Sequence, residues 1–172
     1  MRGELDFERS LRARVALLKG LPISVFDTVF KSIHLSKNAQ EFISILQKKG
    51  ILVGLVSGGF TPIVERLAES LGISYFSANQ LEVKDGFLTG KLVGEIVTDQ
   101  EKNATLEKWR KELELPKERT IAIGDGANDL LMLKTAGHGI AFCAKEVVKA
   151  EIACHVDTRD FLEVLPLIDF LE

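Results

Sequence analysis

Cysteine, tryptophan, tyrosine and proline are all scarce in this sequence: two, one, one and four among 172 residues. The two cysteines, Cys143 and Cys154, sit in apolar surroundings with no CxxC spacing, which argues against a metal pair. They read as small buried thiols in a reducing compartment. Apolar runs are strand-sized, too short for a helix that crosses a bilayer. The opening residues MRGELDFERSLR are too charged for a signal-peptide core, so a cytoplasmic protein is expected. Charge of one sign is not in excess either. A formal net charge of −3 gives no reason to expect nucleic acid or an anionic membrane as partner. Finally, Asp-x-Asp occurs nowhere in the chain.

What is present is globular. Hydrophobic residues make up 46% and charged residues 27% of the chain, well away from a disordered composition. At this length one domain can bury about 70% of its unfolded surface. Phe7, Leu11, Val15 and Leu18 fall at helical spacing, predicting a helix from Phe7 to Lys19 that Gly20 and Pro22 close. Helices are also predicted at Ile23 to Ile33 and Ala39 to Lys49. The continuous apolar run Ile51 to Val56 reads as a strand buried on both faces of a parallel sheet. The loop Ser57-Gly58-Gly59-Phe60 and a helix with Thr61 as N-cap and Pro62 in its first turn follow.

A short strand from Ser74 to Ala78 comes next, then a hairpin in which Lys84-Asp85-Gly86 joins Leu81-Glu82-Val83 to Leu88 to Val93. A helix from Gln100 to Leu115, a strand from Thr120 to Ile123, a helix from Asp129 to Ala136, a strand from Gly139 to Phe142 and a closing helix from Phe161 to Leu171 complete the reading. No internal repeat is visible. Strands alternating with helices, with glycine-rich turns after the strands, predict an α/β fold with a doubly wound parallel sheet. In such folds ligands bind beyond the carboxyl ends of the strands.

Two loops lie at such ends. In Ser57-Gly58-Gly59 the glycines allow close approach of an anion, the serine hydroxyl can donate to a phosphate oxygen, and a helix N-terminus follows. An ordinary tight turn is the alternative. In Gly124-Asp125-Gly126-Ala127-Asn128-Asp129, two carboxylates at a strand end suit a hard cation such as Mg²⁺. Helix capping would account for Asp129 alone, but not for two glycines and an asparagine in the same loop. Between these loops Lys102 stands near a helix N-terminus, where a cation opposes the macrodipole and calls for a counter-anion. A solvated lysine is the alternative there.

Taken in this order, SGGF, a lysine entering a helix and GDGANDLLML resemble motifs two, three and four of the haloacid dehalogenase superfamily. MRGELDFERSLRARVALLKG, LVSGGF, KDGFLTGKLVGEI and GDGANDLLMLKTAGHGIAF resemble its phosphoserine phosphatase family almost end to end. The resemblance implies a Rossmannoid core at 39–172 with a hairpin insertion near 80–95, and a small helical cap at 1–38. It implies Mg²⁺-dependent hydrolysis of O-phospho-L-serine through an aspartyl-phosphate, in serine biosynthesis. Ser57 and Gly58 would hold the phosphate, and Lys102 would neutralise it and orient the nucleophile. Asp125 would ligate Mg²⁺, Asp129 would support the metal site, and Asn128 would contact the transferring group or the substrate. Arg14 would grip the substrate carboxylate, as a guanidinium fork can, with Phe7 and Met1 as apolar cover over the substrate.

The family opens with a strand ending in Asp-x-Asp-x-Thr, whose first aspartate attacks phosphorus and whose second serves as acid and base. With no Asp-x-Asp, the chain is expected to begin inside the cap, to lack the central strand of the sheet, and to be inactive by itself. A phosphate-binding protein without turnover and a phosphatase for another small phosphomonoester are the alternative functions. A homodimer or a complementing N-terminal segment is the alternative partner to a small substrate alone. P-type ATPases share a similar acidic loop but need membrane spans.

Overall fold

A computed structural model describes residues 2–168, with side chains from Phe7 onward. In chain order the elements are α1 (Arg2–Ala16), α2 (Val25–Lys31), α3 (Ala39–Lys48), β1 (Gly54–Phe60), α4 (Thr61–Ser70), β2 (Tyr75–Lys84) and β3 (Phe87–Val93). They continue with α5 (Asp99–Glu112), β4 (Ile121–Gly124), α6 (Leu130–Thr135), β5 (His138–Phe142), α7 (Glu146–Lys149) and β6 (His155–Val156). The chain forms two compact units. One combines the residues up to His34 with Val53–Thr98; the other combines Leu35–Leu52 with the residues from Asp99 onward.

In the first unit β1 pairs parallel with β2 across the α4 crossover, and β2 pairs antiparallel with β3. Asp85 (φ 52°) and Gly86 (φ 83°) make the hairpin turn, where two successive positive φ values suit the Asp-Gly pair. Leu11 and Val15 of α1 and Phe26 of α2 are buried with Leu81, Leu88 and Ile96, which sets the helices on the hairpin.

The second unit is a parallel sheet in the order β4–β5–β6. Its core is built largely of small residues, Ala122, Ala136, Ala141 and Ala144, with Leu133, Val148 and Ile152. Helix α6 runs so close to β5 that a β-carbon on Gly139 would lie 2.2 Å from the Leu133 carbonyl oxygen.

The α/β class and the parallel strand–helix–strand units agree with the sequence. The strands, however, form two separate three-stranded sheets, and among the described residues β1 pairs with β2 alone and β4 with β5 alone. Several boundaries differ. The first strand is Gly54–Phe60, three residues later than predicted, so Ser57 to Phe60 is a bulged strand end. The two short strands expected at 74–78 and 81–83 are one strand, β2, that changes partner midway. The closing helix expected from Phe161 to Leu171 is a 3-10 segment over Phe161–Leu167, with Pro166 inside it, and its last three residues lie outside the described ones. Cys143 and Cys154 are free thiols but only half-buried. Among the described residues no helix is long and apolar enough to cross a membrane.

Candidate active site

In the first unit the Ser57 segment closes the β1–β2 ladder. Ser57 pairs with Ala78 and Phe60 with Asn79, so Gly58 and Gly59 bulge out of register. The Ser57 hydroxyl oxygen accepts the Gly59 N–H (3.0 Å), which keeps the turn tight and leaves the hydroxyl proton available to an acceptor. The Gly58 carbonyl, taken out of the ladder by the bulge, accepts instead from Nδ2 of Asn79 (2.8 Å). Phe7 packs against the α1–hairpin core and also reaches this turn: its Cζ lies 3.9 Å from where a Gly58 β-carbon would sit. The turn and its apolar neighbour are thus brought together. Arg14 stands exposed on α1, its Nε donating to the Ser10 carbonyl (3.4 Å), with no carboxylate partner among the described residues. Met1 lies outside the described residues.

In the second unit Asp129 is the centre of the acidic loop. It is 5% exposed, and both carboxylate oxygens are used. Oδ1 accepts from the Lys102 ammonium (2.6 Å). Oδ2 accepts the backbone N–H groups of Asp125 (3.1 Å) and Gly126 (3.0 Å). Lys102 is itself 7% exposed. The counter-anion that its place in the first turns of α5 called for is therefore Asp129, and two of its three N–H donors remain for another acceptor. Gly124 is required by this packing, because a β-carbon there would fall 2.6 Å from Asp129 Cβ and 2.7 Å from its Cγ.

Asp125, by contrast, is exposed, and its carboxylate has no hydrogen-bond partner among the described residues. Its backbone is fixed from both sides, since its N–H is held by Asp129 and its carbonyl accepts the Lys145 N–H (3.1 Å). Asn128 is exposed beside it. A free carboxylate on a fixed backbone fits a hard cation that draws its other ligands from water and substrate oxygens. Asp129, with both oxygens committed, fits the supporting role and not direct ligation. No cluster of three or more metal-ligating side chains occurs among the described residues.

Sequence reasoning missed two contributors. Asn79 is buried, and it falls between the strands predicted at 74–78 and 81–83. Lys145 acts through its backbone, which no residue type signals.

The pattern of the haloacid dehalogenase-like hydrolases matches residues 1–134, and the chain belongs to that family. Within it the relatives are phosphoserine phosphatases. That of Streptococcus thermophilus is 53% identical over 98% of this chain and 79% of its own length. That of Methanocaldococcus jannaschii is 45% identical over 98% of this chain and 80% of its own. Among solved structures, a substrate-bound phosphoserine phosphatase complex matches with a TM-score of 0.89 at 45% identity, covering 97% of this chain and 80% of that one. A probable phosphoserine phosphatase from Vibrio cholerae matches with a TM-score of 0.93 at 37% identity, covering 99% and 53%.

Proposed function

We propose that the chain carries the phosphate and metal side of a phosphoserine phosphatase that hydrolyses O-phospho-L-serine to L-serine and phosphate in the cytoplasm. The observation that carries this reading is Asp129. One buried carboxylate fixes both the Lys102 ammonium and the backbone that presents the free carboxylate of Asp125. A loop built only to cap α6 would need neither a buried lysine nor an unpartnered aspartate.

Each residue has a task in this reading. The Ser57 hydroxyl and the Gly58 segment hold phosphoryl oxygens, and the free N–H donors of Lys102 neutralise the same group. Asp125 ligates Mg²⁺, which when bound would draw charge from the phosphoryl oxygens. Asn128 meets the transferring group. The helices of 1–38 act as a cap over the core of 39–172, with the Arg14 guanidinium taking the substrate carboxylate and Phe7 and Met1 covering its apolar side. The nucleophilic Asp-x-Asp has no counterpart within these 172 residues, so turnover by these residues alone is not expected. That same observation favours a second reading, phosphate binding without catalysis.

Calorimetric titration of the chain with inorganic phosphate in the presence of Mg²⁺ tests the site. Saturable binding that Asp125→Asn and Ser57→Ala each weaken is the expected result; binding indifferent to both substitutions would refute it. Hydrolysis of O-phospho-L-serine after an Asp-x-Asp-x-Thr strand is supplied separates the phosphatase from the non-catalytic reading.

A further inference from the structure

We propose that Asn79 is a positioning residue for the phosphate-binding turn, an inference that rests on the reading of Ser57 and Gly58 just given. Asn79 is 1% exposed, which is unusual for an amide unless every polar atom is used. Here they are. Nδ2 donates to the Gly58 carbonyl (2.8 Å), and Oδ1 accepts the Val97 N–H (2.8 Å). The backbone carbonyl of Asn79 also accepts from the Thr61 hydroxyl (3.2 Å).

The place of these bonds is what gives them meaning. Between Ser57 and Phe60 the β1–β2 register slips, and Asn79 is the β2 residue paired with Phe60, where the slip ends. A bulge removes backbone groups from the ladder, and a buried carbonyl left there would be costly. A primary amide holds N–H donors and a C=O acceptor in one plane, so one N–H and the oxygen can stand in for a peptide group. Asn79 therefore supplies the missing rung for Gly58 and passes the connection on to Val97. The Val97 carbonyl oxygen lies 3.7 Å from where a Gly58 β-carbon would sit, so the segment after β3 is held against the turn. Thr61, the first residue of α4, is anchored to the same residue. One side chain thus fixes the turn, the start of the helix after it and the segment beside it. An anion-binding turn needs this, because donors that must reorganise on binding forfeit affinity.

Aspartate is the informative replacement. Asn79→Asp keeps the shape and the acceptor for Val97 but replaces the donor facing the Gly58 carbonyl with an oxygen. Inorganic phosphate titrated into the chain with Mg²⁺ should bind this variant at least about tenfold more weakly, the effect of one buried hydrogen bond turned repulsive. Unchanged phosphate affinity in a variant that melts at a lower temperature would mean a purely structural role and overturn the proposal. Should the variant not fold, the unmodified chain decides. In ¹⁵N-resolved NMR, phosphate should shift the Asn79 side-chain amide resonances together with the Gly58 and Val97 amides. Asn79 resonances that stay still while the Gly58 amide moves would also overturn it. Ser57→Ala and Asp125→Asn serve as controls: affinity unchanged in both would sink the phosphate reading itself, and this inference with it.

Discussion

Lys102 and Asp129 are both buried, with side chains 8% and 7% exposed, so each depends on the other for its charge. Removing one partner of such a pair strands the other in a poorly solvated site, at a cost of about 3–5 kcal/mol. Lys102→Met and Asp129→Asn are each expected to lower stability in urea denaturation by that order. The double substitution should cost less than the sum of the two, because the stranded charge is gone. The neighbouring glycines separate two kinds of crowding. A β-carbon on Gly124 meets Asp129 at Cβ and Cγ, atoms that cannot swing aside without taking the carboxylate off the Asp125 and Gly126 N–H groups. One on Gly126 meets chiefly Asn128 Oδ1 at 2.4 Å, the far end of an exposed side chain that can rotate away. Gly124→Ala should therefore destabilise by about 1–3 kcal/mol and weaken Mg²⁺ binding. Gly126→Ala should leave the thermal midpoint nearly unchanged; equal losses in calorimetry would contradict this ranking.

At the scale of elements, the 3-10 segment Phe161–Leu167 is tied to the start of α3 through Asp160. Its carboxylate accepts from the Lys37 ammonium (2.8 Å), from Asn38 Nδ2 (2.8 Å) and from the Leu162 N–H (3.1 Å). Phe161 then stacks on Phe142 at 4.2 Å between ring centroids. The Lys37 hydrogen bond, followed by that of Asn38, holds the Asp160 carboxyl below its usual value of 3.8. A depressed folded-state value means that the unfolded chain takes up the proton first. The clamp is fully present above pH 3.8 and is lost as pH falls through the depressed value. Asp160→Asn should accordingly lower the melting temperature at pH 6 and make little difference near pH 2; a pH-independent gap would refute the assignment. Elements with a strong period or firm punctuation were legible in the sequence: α3, α4 with Pro62, and the Asp85-Gly86 hairpin. The shift of β1 was not, because two glycines after an apolar run look like a turn, whether they leave the ladder or bulge within it. Nor was the unity of β2, since polar Asn79 reads as an interruption until its buried partners are seen. In the site, Ser57, Asp125 and Asp129 stood out by their setting. The partner of Lys102 lies 27 residues further on, and only folding brings it to 2.6 Å.

For the whole molecule, the decisive feature is that among the described residues each sheet has an edge strand, β1 in one unit and β4 in the other, with a single pairing partner. β4, Ile121–Gly124, carries no charged residue, and none of its four residues is exposed, so nothing in its sequence discourages further pairing. β1 is equally uncharged and ends in the Ser57 turn. Open edges of this kind, on strands that are mostly half-buried, leave a row of backbone donors and acceptors available for further pairing, which invites non-native association. An added apolar strand ending in Asp-x-Asp-x-Thr would pair with such an edge and bring a carboxylate to attack phosphorus, which no Asp-x-Asp in the chain supplies. A chain extended upstream by such a strand is therefore expected to melt higher than the 172-residue chain in circular dichroism. At about 2–4 °C for each kcal/mol in a protein of this size, a few kcal/mol of strand pairing reads as roughly 10 °C. The extended chain should also hydrolyse O-phospho-L-serine, and Asp125→Asn should abolish that turnover without abolishing the gain in melting temperature. Identical cooperative transitions for the two chains would show that the free edges do not limit stability. A gain in stability without turnover would favour the non-catalytic, phosphate-binding reading of the site.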